Sequence, residues 1–183
     1  MELEVFNREK KGINKLRAFD NVPGVIYSKG SENKNIFFKK ADFKNILSKL
    51  KSGDLSTLVF TLKNEKESFK AIVKDIQYFI TSYDVSHVDF MKINDKEEIS
   101  VNVPVRLKGV QECSGVKLGG SLMQMLRAIK IKCLPKKMPK EIVLDVTNLN
   151  IGDRIKINEI SLDQGLKVKA KNFKEVIVSV IKK

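Results

Sequence analysis

The sequence has one histidine, two cysteines and no long apolar run. Nothing in it approaches the ~18 consecutive apolar residues that a membrane-crossing helix needs, so no membrane span is expected. The chain opens Met1-Glu2-Leu3-Glu4-Val5-Phe6, without the basic-then-apolar pattern of a secretory leader. Cys113 and Cys133 lack a second pair and lack a histidine at metal-ligand spacing. A reduced, cytosolic pair of thiols is expected, and no metal site. Gly119-Gly120 is not followed by the Lys-Ser/Thr of a phosphate-binding loop, and no Gly-x-Ser-x-Gly elbow occurs. Neither a cofactor nor a small-molecule substrate is expected. Internal repeats and low-complexity tracts are also missing.

What is present is a folding chain with a strong positive charge. Its 183 residues, 42% of them apolar, suit one large domain or two small ones. The 35 basic and 22 acidic side chains leave a formal charge of +13. That favours an anionic partner, with nucleic acid the first candidate and a membrane surface the second. A lysine-rich coat that only keeps the protein soluble is the alternative. Lysine supplies most of the charge, whereas arginine is the residue suited to bidentate reading of bases.

Periodicity sets out the elements. Residues 2–6 alternate as a first strand. A basic segment follows, Arg8-Glu9-Lys10-Lys11-Gly12-Ile13-Asn14-Lys15-Leu16-Arg17, with a short helix over about 13–20. Val22-Pro23-Gly24 predicts a turn, Val25 to Tyr27 a buried strand and Asn35 to Phe38 another. Asp42 opens a helix in which Phe43, Ile46, Leu47 and Leu50 share one stripe, with Gly53 placed to end it. Leu58 to Leu62 and Phe69 to Val73 form a hairpin around a turn at Asn64 to Glu67, with an irregularity at Asp75.

A polar run from Ile93 to Glu98 suits a boundary, giving domains over 1–93 and 94–183. The second begins with strict alternation at Ile99, Val101, Val103, Val105 and Leu107. Pro104 on the opposite phase predicts an edge or a bulge. A glycine-containing loop over 109–120 and strands at about 129–134, 141–146, 154–160 and 173–181 follow. The fold class is mainly β with minor α: an N-terminal antiparallel β-barrel with flanking helices, then a β-rich C-terminal domain.

The most informative stretch is Gln77 to Phe90, which carries the lone histidine. Taken as one extended strand, Val88 and Phe90 point one way while His87 and Asp89 point the other. The imidazole and carboxylate then stand roughly 6–7 Å apart on one sheet face. That is wide for a direct hydrogen bond, and no nucleophile stands beside them. A small hydrolase using His87 and Asp89 is therefore the weaker reading. A better one combines the basic segment on phosphates, Tyr27 packing or hydrogen-bonding, and Gln77, His87 and Asp89 on base edges. Such a face suits an irregular RNA loop, because the deep groove of regular A-form RNA is closed to side chains.

Several segments together resemble a known family. They are Lys15-Leu16-Arg17, Val22-Pro23-Gly24-Val25-Ile26-Tyr27, Gln77, and Ser86-His87-Val88-Asp89-Phe90. Val103 to Gly109, Gly119-Gly120, Cys133-Leu134-Pro135 and Ile151-Gly152-Asp153 continue the likeness. In that order, over most of the chain, they resemble the bacterial large-subunit ribosomal proteins numbered twenty-five, in the long, general-stress (Ctc) form. The resemblance implies an N-terminal β-barrel that binds 5S rRNA at loop E, a β-rich second domain, residence in the cytoplasmic 50S subunit and no catalysis. Neighbouring rRNA and ribosomal proteins are its implied further partners. It also implies RNA contacts at Arg8, Lys15, Arg17, Tyr27, Gln77, His87 and Asp89. A basic adaptor for other anionic partners is the alternative. One departure is Lys11-Gly12-Ile13-Asn14-Lys15, where the family usually has glycine, small residues and arginine. Lysine point charges there shift binding toward phosphate contacts and stronger salt dependence.

Overall fold

Period-two alternation dominates the sequence, and the computed structural model is accordingly mainly β. It describes all residues except 10–11, 29–31, 65–66, 161–164, 170–171 and 183, and the side chain of Asn14. Lys10 and Lys11 of the basic segment, Glu65 and Lys66 of the expected turn, and Lys171 thus lie outside the described residues. The chain divides into two compact units, Met1–Glu97 and Glu98–Lys183.

The first unit runs β1 (Glu2–Glu4), β2 (Phe6–Asn7), α1 (Ile13–Ala18), β3 (Asn21–Tyr27), β4 (Lys34–Lys39), α2 (Lys40–Ser48), β5 (Val59–Lys63), β6 (Ser68–Tyr78) and β7 (Val85–Lys92). Its seven strands form one sheet in the order β1-β5-β6-β7-β3-β4-β2. The two ends of that list are neighbours in sequence, joined through buried Val5, so the sheet comes nearly full circle as a barrel. The Val5 amide donates to the Lys63 carbonyl at 2.8 Å on one side, and the Arg8 amide to the Asn35 carbonyl at 3.0 Å on the other. Closure leaves few free backbone groups at an edge.

Phe38, Phe43, Phe60 and Phe90 fill the barrel in a ring of tilted, edge-on and stacked contacts with centroids 5.1 to 6.2 Å apart. Each such pair adds about 0.5–1.5 kcal/mol beyond simple burial. Phe43 comes from α2, and Ile46 and Leu47 pack beside it. That helix stops at Ser48, where Lys49 and Leu50 amides tighten onto the Ile46 and Leu47 carbonyls. Gly53 does not end it; with φ +92° it leads a separate 3₁₀ turn over Asp54–Thr57.

Val22-Pro23-Gly24 is not a turn either, but the start of β3. Pro23 pairs opposite Phe37, and Gly24 pairs opposite Ile36 and Val88. A Cβ on Gly24 would stand 2.8 Å from the Val88 carbonyl oxygen, so the glycine serves close packing of β3 on β7. Nor is Gln77 to Phe90 one strand. It comprises the end of β6, a hairpin over 79–84 and most of β7, antiparallel to β6. The expected irregularity at Asp75 is present as a register shift between Val73 and Asp75.

The second unit comprises β8 (Ile99–Lys108), α3 (Ser114–Lys117), β9 (Gly120–Gln124), β10 (Ala128–Cys133), β11 (Ile142–Asp145), β12 (Arg154–Lys156), β13 (Lys167–Val168) and β14 (Val176–Lys182). They form a four-stranded sheet, β11-β8-β10-β13, and a three-stranded one, β12-β14-β9. Pro104 lies in β8, an interior strand and not an edge. It is the last β8 residue paired with β10, and pairing with β11 starts at Val105. A missing N–H is tolerated at that handover. Cys113 and Cys133 are buried and unlinked, and burial pushes the Cys133 thiol up from its ordinary pKa.

Candidate nucleic-acid interface

β7 alternates cleanly. Ser86, Val88 and Phe90 are buried toward the core, while His87 and Asp89 face outward and stay partly open, with side chains 21% and 36% exposed. Their Nδ1 and Oδ1 atoms are 2.9 Å apart, a close polar contact and not the roughly 6–7 Å that the strand rise suggests. The strand rise fixes the Cα separation, but both side chains lean along the strand and close the gap.

Cross-strand register brings the neighbours in. Gln77 on β6 pairs directly opposite His87, and Asp75 opposite Asp89. On the other flank β3 runs parallel to β7, with Val25 beside Asp89 and Tyr27 beside Met91. Burial raises the pKa of the Tyr27 hydroxyl, and the charges of Asp89 and Asp75 raise it further. The phenol therefore keeps its hydrogen at neutral pH and is a donor beside two acceptors.

Arg17 reaches this face from α1. Its Nη2 donates to the Ser86 carbonyl at 3.1 Å, one residue from His87, and its guanidinium lies 5.2 Å from the centroid of the Phe79 ring. Arg17, Gln77, His87, Asp89 and Tyr27 thus gather on one outer surface. Lys15 and Arg8 do not join them in the same way. Lys15 is exposed on α1, but two residues along a helix turn its side chain about 200° away from Arg17. Arg8 lies over β4, about two strand spacings, or roughly 10 Å, from Asp89. Its guanidinium donates to the Ile36 carbonyl at 3.1 Å, the Glu9 carbonyl at 3.3 Å and the Asn35 side chain at 3.5 Å. Much of its hydrogen-bonding capacity is committed to holding the barrel seam.

Comparison with known proteins matches the two units separately. The Ribosomal L25p family matches residues 3–90, and the C-terminal domain of ribosomal protein TL5 matches residues 98–183. The large ribosomal subunit protein bL25 of Chlamydia trachomatis serovar L2 is 41% identical over 186 residues, covering 100% of both chains. Its counterpart in Chlamydia pneumoniae is 40% identical, covering 98% of each. The chain belongs to the bL25 family of bacterial ribosomal proteins, in the long, TL5-like form.

The bL25 family is one of ribosomal proteins and not of enzymes. Ser86, the hydroxyl residue next to His87, is turned into the core. Among the described residues no group of three or more His, Cys, Asp or Glu side chains could hold a metal. None of their helices is long and apolar enough to cross a membrane.

In this bL25-family chain, sequence reasoning missed three parts of the face. The Ser86 carbonyl anchors Arg17, and a backbone acceptor leaves no mark in side-chain chemistry. Asp75 and Phe79 were legible in principle, because they stand two residues to either side of Gln77.

Proposed function

We propose that the unit Met1–Glu97 binds 5S rRNA at its loop E region, and that the chain is a structural protein of the large ribosomal subunit. Neighbouring rRNA and ribosomal proteins are the partners of the rest of its surface, in the cytoplasm. Family membership supplies the ribosomal setting. The observation that carries the finer reading is the gathering of Arg17, Tyr27, Gln77, His87 and Asp89 on one outer sheet face.

The mechanism is equilibrium binding. Arg17 and the exposed lysines attract and position phosphates, which sets orientation without reading sequence. The sheet face reads the RNA. Asp89 accepts, Tyr27 donates, Gln77 does both, and the imidazole of His87 stands beside Asp89, partly open to solvent. Polar groups fixed by a β-barrel cannot follow a regular duplex groove, but they meet base edges where non-standard pairing widens it. The deciding experiment titrates the protein with 5S rRNA and with the same RNA altered in loop E, at several salt concentrations. A preference for the intact loop that persists as salt rises supports the reading. Equal binding to both RNAs and to other polyanions would replace it with a general adaptor for anionic partners.

A further inference from the structure

The hairpin between β6 and β7 carries side chains that neither the core nor the polar face uses. Ile80 is 91% exposed and Tyr83 81%, with Phe79 39% exposed at the base of the hairpin. Single exposed apolar residues are unremarkable, but these share one six-residue turn. Tyr83 also takes the left-handed conformation at φ +54°, uncommon for an aromatic residue. Phe79 lies just beyond the end of β6, two residues past Gln77, where its amide donates to the Asp84 carbonyl at 2.8 Å. Arg17 lies over its ring, tethered by the Ser86 carbonyl.

We propose that the Arg17–Phe79 pair is a stacking platform for one unpaired RNA base extruded from the loop that the polar face holds. This rests on the RNA-binding reading above and adds to it a site for a base turned out of the helix. A planar cation held over a ring presents a charged, polarizable surface of about the size of a base. Nucleobases stack on such aromatic and guanidinium planes, and phosphates on either side are drawn by the same charge. An apolar protein partner would have to desolvate Arg17, whereas an RNA would be attracted by it. The platform is one residue from His87 along β7 and two from Gln77 along β6, so a single irregular loop can reach both.

The test uses the full chain and 5S rRNA in which loop E adenines are replaced one at a time by 2-aminopurine, whose fluorescence reports stacking. Wild type is expected to change the signal strongly at one position. Phe79→Leu, which keeps bulk and loses the ring, should abolish that change and weaken binding roughly ten- to a hundredfold. Phe79→Tyr should restore both, which separates loss of the ring from loss of folding. Arg17→Lys should reduce the signal while keeping the charge. If Phe79→Leu folds, binds as wild type and leaves every fluorescence change intact, the platform is refuted. The RNA-binding reading then survives as long as His87→Ala still loses its preference for the intact loop. If wild type does not prefer that loop at all, both fall.

Discussion

The two units carry opposite endowments. Residues 98–183 hold 17 basic and 8 acidic side chains, against 18 and 14 in residues 1–97, so the second unit is the more positive for its size. Yet Phe173 is its single aromatic residue, and it has no histidine. The first unit holds all the others: a phenylalanine ring inside the barrel, and Tyr27, Phe79 and His87 toward the outside. The second packs two smaller sheets on aliphatic side chains such as Val103, Ile131 and Val180. The lesson is that charge and recognition are separable. Charge sets how strongly any polyanion is held, while a rigid face bearing donors, acceptors and rings decides which one.

The comparison can be broken most forcefully from inside. Phe90→Ala empties the centre of the phenylalanine ring on the strand that carries His87 and Asp89. It should cost about 3–5 kcal/mol by chemical denaturation and abolish loop preference. Ile131→Ala, equally buried in the second unit, should cost about 2–5 kcal/mol and leave that preference untouched. Loss of preference in both variants would show that recognition is not a property of the first unit alone.

Next in size is His87→Ala, expected to cost roughly 1–3 kcal/mol on the intact loop and little on generic duplex, measured by equilibrium titration. A uniform loss on both RNAs would remove His87 from the selecting group. A smaller contrast sets Arg17→Ala against the double substitution Lys167→Gln/Lys169→Gln. The first should weaken binding and lower the salt slope by about one unit while reducing discrimination. The second should alter only the salt-dependent part, because those exposed lysines carry charge without fixed geometry.

The smallest effect is on stability against pH. Lys40 donates to Asp84 at 2.8 Å across the mouth of the hairpin. That bond holds the Asp84 carboxyl below its ordinary 3.8 and lifts Lys40 above 10.5. The carboxylate's contribution is present above its ordinary pKa and is lost as pH falls through the lowered one. The ammonium's contribution is present below 10.5 and is lost as pH rises through the raised value. Lys40→Met should therefore lower the plateau of thermal stability and flatten its acid limb, the deficit against wild type closing as pH falls through the lowered Asp84 value, by a modest amount for so open a pair. An unchanged acid limb would assign that limb to other carboxylates.

Much of this was legible in the residues themselves. Strict alternation announced β8, and the outward phase of His87 and Asp89 followed from Val88 and Phe90, because a strand's period is two whatever it pairs with. The charge and the absence of catalytic and metal-binding patterns directed attention to an anionic partner before any coordinates. Three readings failed for a shared reason. Pro23-Gly24 looked like a turn, Pro104 like an edge or a bulge, and Gln77 to Phe90 like one strand, because local propensity does not know which strand will lie alongside. A glycine needed for the approach of Val88 and a glycine needed for a turn are written with the same letter.

Sequence alone thus determined the elements, their buried sides and the chemical kinds of group on show. Tertiary structure decided which of those groups meet. Only the β6–β7 register sets Gln77 against His87, only the leaning of two side chains converts a spacing into a 2.9 Å contact, and only the seating of α1 lays Arg17 over Phe79. Those contacts join residues up to 69 positions apart, and their geometry is fixed by packing against a common core.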